Sequence, residues 1–271
     1  MNNEELMDKA KELGLYGMLA NWDKYGRESW LPDLLLEEES ERGRRSIDRR
    51  IKEAKLGQYK PMSEFDWSWP TKIDRELIEE LFSLQFVKDK SNVVLVSANG
   101  LGKSMISQNL AYEVVMAGHD ARFVKASDML DELSVADGAY TRRRCLRKYT
   151  QVDLLCIDEV GYLSYDNRYA DLLYEVVTAR YQNRSTIVTT NRQFQEWNSI
   201  FPNAACVVTL VDRLVHKAEI VYIEGDSYRK KEALERAAEK EKNRKQKGKS
   251  KSAEKAVKSK NPVEKKKEND D

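Results

Sequence analysis

Apolar and polar positions follow two different rhythms along this chain of 271 residues. In the first part the spacing is helical. Glu4 to Trp22 carries Leu6, Ala10, Leu13, Leu15 and Met18 on a broken helical pattern, and a longer helical segment runs from Trp30 to Leu56 with Leu34, Leu35 and Leu36 near its start. Further on, short continuous apolar or β-branched runs appear near 93–97, 121–125, 153–158, 185–190 and 219–223. Val93-Val94-Leu95-Val96 is such a run, as expected of a strand buried on both faces. Helical periodicity separates these runs. Lys103 to Gly118, for example, holds Ile106, Leu110, Val114 and Ala117 at helical spacing and closes on a glycine. The alternation predicts a five-stranded parallel sheet flanked by helices on both faces, with ligands at the carboxyl ends of its strands. Residues 204–217 read either way: Cys206-Val207-Val208 favours a strand, while Leu210, Leu214 and Lys217 fit a helix.

The first strand runs into Ser97-Ala98-Asn99-Gly100-Leu101-Gly102-Lys103-Ser104. Strand, tight loop and helix start are the setting of a phosphate-binding loop, whose pattern is Gly, four free positions, then Gly-Lys-Ser/Thr. Gly102-Lys103-Ser104 is intact, and Ser97 stands where glycine is usual. In such a loop backbone N–H groups and the helix N-terminus attract phosphate. Lys103 would reach the β- and γ-phosphates, and the Ser104 hydroxyl would ligate Mg²⁺. Were the backbone at Ser97 left-handed, the missing glycine would cost roughly 1–2 kcal/mol and weaken nucleotide affinity. A second buried run, Leu154-Leu155-Cys156-Ile157, ends in Asp158-Glu159. An acidic residue there holds Mg²⁺ through water, and the next can polarise the attacking water as a general base. The third run ends in Asn191, either a lytic-water ligand or a simple turn former.

From about Phe65 to Arg229 the chain resembles AAA+ ATPases of the IstB/DnaC group, and IstB-like insertion-sequence helper proteins above all. Asn99 to Ser104, Ile157-Asp158-Glu159-Val160-Gly161-Tyr162-Leu163, Thr189-Thr190-Asn191-Arg192, Phe201-Pro202-Asn203-Ala204, Leu210-Val211-Asp212-Arg213-Leu214 and Ser227-Tyr228-Arg229 carry the resemblance. It implies an α/β P-loop AAA+ core and a helix over the ambiguous 204–217; such proteins typically add a helical lid, but little follows Arg229 except the tail, so no full C-terminal lid is expected. It also implies ATP and Mg²⁺ as cofactors, with nucleotide bound by Asn99, Gly100, Leu101, Gly102, Lys103, Ser104, Met105 and Arg229. By the same resemblance Lys103, Asp158, Glu159, Asn191 and Arg213 are catalytic, Arg213 by reaching a neighbouring subunit's γ-phosphate, and Ser104 and Asp158 hold the metal. Arg229 falls where a sensor-2-like arginine would stand. The implied protein is an ATPase that forms a ring or spiral homo-oligomer on double-stranded DNA, remodels it and recruits an IstA-like transposase. A DnaC-like helicase loader has the same core, and Ser97 leaves room for a nucleotide-gated DNA scaffold with little turnover.

Charge adds a division into three parts. Net charge is +1, yet Lys240 to Asp271 holds thirteen basic and six acidic residues, a net +7, which leaves the rest mildly acidic. The expected organisation is a helical N-terminal DNA- or partner-binding domain at 1–66, an ATPase core at 67–232 and a basic disordered tail at 233–271. Tyr59 to Pro70, rich in aromatic residues and proline, reads as the hinge between the first two. Arg42, Arg45, Arg49 and Lys52 share one face of the second helix and suit a phosphate backbone; pairing with Glu37 to Glu41 is the plainer reading. Arg142, Arg143, Arg144, Arg147 and Lys148 form a second basic cluster within the core, suited to grip DNA in a central channel. No apolar run has the length of a membrane span and no signal peptide opens the chain, which predicts a cytoplasmic protein without a membrane partner. Cys145, Cys156 and Cys206 lack metal-ligand spacing, and His119 and His216 are the only histidines, so zinc or histidine-triad chemistry has little to work with.

Overall fold

A computed structural model describes residues 1–162, 167–201 and 205–240. Leu163, Pro202, Asn203, Ala204 and the tail from 241 onward lie outside the described residues. The chain opens with α1 (Asn3–Glu12), α2 (Tyr16–Leu19), α3 (Trp22–Tyr25) and the long α4 (Leu31–Ala54). The core follows as α5 (Arg75–Leu81), α6 (Gln85–Lys88), β1 (Asn92–Ser97), α7 (Lys103–Met116), β2 (Ala121–Lys125), α8 (Ala126–Ser134), α9 (Ala139–Thr150) and β3 (Leu154–Val160). It continues with α10 (Asn167–Arg180), β4 (Ser185–Thr190), α11 (Trp197–Ile200), α12 (Val207–Val215) and β5 (Ala218–Ile223).

The five strands are all parallel, in the order β2-β3-β4-β1-β5. Successive residues of β1 serve opposite faces, because strand side chains alternate. Val94 and Val96 pack with α8 to α12, around Met129, Leu130, Val176 and Trp197. Val93 and Leu95 pack with α5, α6 and α7, around Ile78, Phe86, Ile106 and Leu110. The ambiguous stretch is helical as α12, because Val207, Leu210 and Leu214 bury one stripe against the first of these clusters.

Leu6, Ala10, Leu13, Leu31 and Leu35 form a separate small core. The other end of α4 belongs to the sheet: Ala54 and Leu56 are buried with α7, and Arg50 donates to Asp120 at 3.1 Å. One continuous helix therefore joins both parts. The segment expected to act as a hinge is pinned instead. Asn109 of α7 accepts from Tyr59 Oη at 2.8 Å and from the Met62 amide at 2.9 Å, and it donates to the Lys60 carbonyl at 2.8 Å. A buried side-chain amide satisfied on both ends fixes the strand of chain around it.

After β5 the described residues hold one further helix, over 228–240. It covers the start of the stretch expected to be disordered tail. Glu235, Arg236, Ala237, Ala238 and Lys240 are strong helix formers, so the composition that lacks a core still propagates a helix begun at Tyr228. No helix among the described residues is long and apolar enough to cross a membrane.

Arg180 closes the end of the sheet far from the loop. It is 1% exposed and donates to the carbonyls of Tyr149, Val152, Asp153 and Ser185 and to Thr186 Oγ1. Those acceptors are the last turn of α9, the connection just before β3 and the first residues of β4. Arg180→Ala is expected to destabilise the fold by about 3 kcal/mol or more, because several buried carbonyls lose their donors together. Urea unfolding followed by circular dichroism reads the change.

Candidate functional site

Ser97 is the last residue of β1 and is not among the positive-φ residues. The left-handed strain that would penalise a non-glycine at this position is absent. Ser97 instead supports the lysine: Lys103 Nζ donates to Ser97 O at 2.7 Å, to Ser97 Oγ at 2.9 Å and to Ala98 O at 3.0 Å. The left-handed positions lie further on, at Gly100 (φ 83°) and Gly102 (φ 89°). A Cβ on Gly100 would stand 2.3 Å from Ser227 Oγ, and one on Gly102 would stand 2.5 Å from the Phe65 ring. Both glycines are required by conformation and by close packing. Gly102 is also the N-cap of α7, so the helix opens directly under the loop.

Lys103 is buried, and burial pushes its ammonium down to about 8 despite the attraction of Asp158. Asp158 is 3% exposed, and burial raises its pKa against the hydroxyls that bond it. Ser104 Oγ lies 2.9 Å from both carboxylate oxygens, and Thr189 Oγ1 donates to Oδ1 at 2.5 Å. The same Thr189 oxygen accepts the Glu159 amide at 2.9 Å. One threonine thus ties the acidic pair to the neighbouring strand.

Glu159 has φ 62°, a conformation that a glutamate rarely adopts. The cause is in the ladder: Ile157 pairs with Val188, but Val160 pairs with Thr190, so β3 carries one extra residue. This bulge turns Glu159 out of the strand and into the cleft. Its carboxylate lies 2.9 Å from Lys125 Nζ, at the end of β2. That contact holds the lysine's pKa above its ordinary value. Asn191 follows β4 and lines the same cleft, with a buried Oδ1 that no donor satisfies among the described residues. Arg229 lines the far wall, where the Tyr228 amide donates to Gly100 O at 2.9 Å.

The cleft has a volume of about 620 Å³, in the range of small-ligand sites. Lys103, Ser104, Glu159, Asn191 and Arg229 converge on it, and so do Asn99, Gly100, Leu101, Gly102 and Met105. The pinned 56–70 segment supplies its outer wall through Phe65, Asp66 and Trp69. The donor set suits a nucleotide phosphate chain: a buried ammonium and loop amides at a helix N-terminus, with the acceptor Oδ1 of Asn191 left for a water or hydroxyl donor. No group of three His, Cys, Asp or Glu suited to a metal occurs among the described residues. A hydroxyl beside one carboxylate still fits Mg²⁺, which fills its octahedron with water and phosphate oxygens.

Arg213 does not reach this cleft. Its guanidinium lies 4.9 Å from the Tyr174 ring and 5.8 Å from the Tyr181 ring and donates to Thr178 Oγ1. On α4, Arg42 pairs with Glu38, Arg45 lies 3.6 Å from Glu41, and Arg42 also donates to the Leu13 carbonyl. The acids of the same helix thus neutralise part of that stripe, while Arg49 and Lys52 stay exposed and have no ion-pair partner among the described residues. On α9, Arg142 pairs with Glu175 at 2.7 Å and Lys148 pairs with Glu132, while Arg143, Arg144 and Arg147 have no ion-pair partner among the described residues.

The profile of the family described as "IstB-like ATP binding protein" matches residues 5–236. The chain belongs to that family. It is 33% identical over 199 residues to the insertion sequence IS5376 ATP-binding protein of Geobacillus stearothermophilus, covering 73% of this chain and 79% of that one. It is 32% identical over 198 residues to the insertion sequence IS21 ATP-binding protein of Pseudomonas aeruginosa, covering 73% of this chain and 75% of the relative. A crystal structure of DnaI shares the fold, with TM-score 0.51 at 18% identity over 64% of this chain and 92% of the other. This IstB-like chain therefore belongs to an ATP-binding family, and its α/β core, a five-stranded parallel sheet flanked by helices, has the fold of DnaI.

Lys125 and Phe65 were given no role by the motifs, and Thr189 entered only as a member of Thr189-Thr190-Asn191-Arg192, without a role of its own. Thr189 had a usable signal, since a polar β-branched residue ends the strand beside Asp158. Lys125 and Phe65 had none, because strand order and the path of the 56–70 segment bring them to the site.

In the free protein the Lys103 ammonium is about half protonated at pH 8, and phosphate contact raises its pKa. ATP binding at pH 8 is expected to take up about half a proton, with affinity falling as pH rises through that value. Calorimetry in two buffers of different ionisation enthalpy measures the uptake, which shrinks toward pH 7, where the ammonium is already charged.

Proposed function

We propose that this chain is an ATP-hydrolysing, DNA-binding helper of insertion-sequence transposition. It assembles on double-stranded DNA as a homo-oligomer, remodels the duplex and recruits an IstA-like transposase. The observation that carries the ATPase part is the convergence of Lys103, the Ser104–Asp158 pair and the outward-turned Glu159 on one cleft. Glu159 takes a proton from the attacking water while the water oxygen bonds the γ-phosphorus and the bond to the bridging oxygen breaks. Lys103 binds the β- and γ-phosphates, and Asn191 offers its free amide oxygen to the water. Ser104 and Asp158 would hold Mg²⁺, which neutralises charge on the phosphate oxygens.

Arg213 serves a neighbouring subunit. Its location on α12, away from this chain's own cleft and held over two tyrosine rings, supports that role. Membership of a family of insertion-sequence proteins favours the transposition reading over a helicase loader. The unstrained Ser97, bonded to the catalytic lysine, removes the motive for a low-turnover scaffold. Arg49, Lys52, Arg143, Arg144 and Arg147, without ion-pair partners among the described residues, hold DNA phosphates.

Steady-state phosphate release on duplex DNA and mass photometry test the reading together. Glu159→Gln is expected to keep ATP affinity, lose roughly 10²-fold or more in turnover and accumulate in the assembled form. Arg213→Ala is expected to lose turnover with ATP binding intact, and mixing it with Lys103→Ala protein restores part of the rate. Turnover that persists in Glu159→Gln, or a protein that stays monomeric with ATP and DNA, overturns the proposal.

A further inference from the structure

The α8–α9 corner carries an aromatic residue that the fold does not use. Tyr140 is 81% exposed in the first turn of α9, and Val135 just before it is 77% exposed. The opposite face of the helix is fastened down. Cys145 and Tyr149 are buried, Tyr149 Oη donates to Glu132, and Arg180 holds the Tyr149 carbonyl at 2.8 Å. The outer face is therefore presented rigidly. Along it Tyr140, Arg143, Arg144 and Arg147 share one shallow groove, at the i, i+3, i+4 and i+7 spacing of a single helical stripe.

The charge of that stripe is unbalanced. Arg143, Arg144 and Arg147 have no ion-pair partner among the described residues, unlike Arg142 and Lys148. The nearest carboxylate in the loop, Asp137, accepts the Gly138 amide at 2.9 Å. Three free guanidiniums beside an exposed ring match a polyanion whose backbone is charged and whose interior is made of flat rings.

We propose that Tyr140 inserts its ring against a base step of double-stranded DNA whose phosphates are held by Arg143, Arg144 and Arg147. The inference rests on the DNA-binding part of the proposed function and adds a base-contacting residue to it. The arginines supply a salt-dependent, sequence-independent grip. The ring adds a contact that tolerates any sequence, because every base has a π face, and it acts by unstacking a step. Its rigid mount on α9 makes it a wedge of fixed direction.

The test uses the full-length protein with ATP and a duplex carrying 2-aminopurine at successive positions. Binding is followed by anisotropy over a range of salt concentrations. Tyr140→Ala is expected to bind about tenfold more weakly. It leaves the slope of log K against log[salt] unchanged and abolishes the 2-aminopurine fluorescence change. Tyr140→Phe is expected to restore both, since stacking needs the ring and not the hydroxyl. An Arg143→Ala/Arg147→Ala variant is expected to reduce the slope by about 2. If the arginine variant loses slope while Tyr140→Ala binds and reports like the unaltered protein, the wedge is refuted and the DNA reading stands. If neither variant changes binding, or the protein does not bind duplex DNA, the DNA reading falls and takes the wedge with it.

Discussion

Asp158 is a carboxylate that the fold has taken almost out of water, and the site is organised around the need to satisfy it. Its oxygens face two hydroxyls, Ser104 from the start of α7 and Thr189 from β4, with the Lys103 ammonium close enough to favour its charge. Desolvation still prevails and raises its pKa, so the carboxylate stands ready to gain from a cation placed beside it. Three separate segments meet at this one group. The phosphate loop, the acidic strand and the neighbouring strand therefore hold their mutual positions at the carboxyl edge of the sheet.

The same tie holds the left-handed backbone of Glu159 in place. The β3 bulge throws Glu159 outward, and Thr189 catches its amide, so the unusual φ is held from two sides. Lys125 then holds the carboxylate from the edge of β2. α8 begins at the residue after Lys125, and α9, which carries Arg143, Arg144 and Arg147, follows α8 in the chain.

At the other end of the molecule the 56–70 segment and α4 serve a related purpose. Asn109 pins the segment to α7, and Phe65 packs so tightly on Gly102 that no side chain fits between them. The N-terminal helices thus connect to the nucleotide cleft through packed atoms, with α4 as a stiff strut between their small core and the sheet.

Much of this was written in the sequence. The strand runs, the helix after the loop and the carboxyl-edge site follow from hydrophobic period alone, because a buried parallel strand has no polar face to show. Gly102, Lys103, Ser104 and Asp158 stand out in the sequence because a phosphate loop and an acidic strand end need those residue types at those spacings, whereas Asn191 alone reads equally as a turn former and takes a role only from the resemblance. Tertiary structure decided what depends on contacts between distant segments. Ser97 proved to be a ligand for Lys103, since the backbone angle at a strand end is set by the ladder and not by the residue. The 59–70 segment became a wall, since composition marks a turn-rich stretch but not the amide on α7 that receives it. The two basic stripes lost members to acids, Arg142 to Glu175 and Arg42 to Glu38, because charge patterning counts residues and only packing pairs them. Local sequence determines which groups a segment can present; their partners are fixed by the order of strands in the sheet.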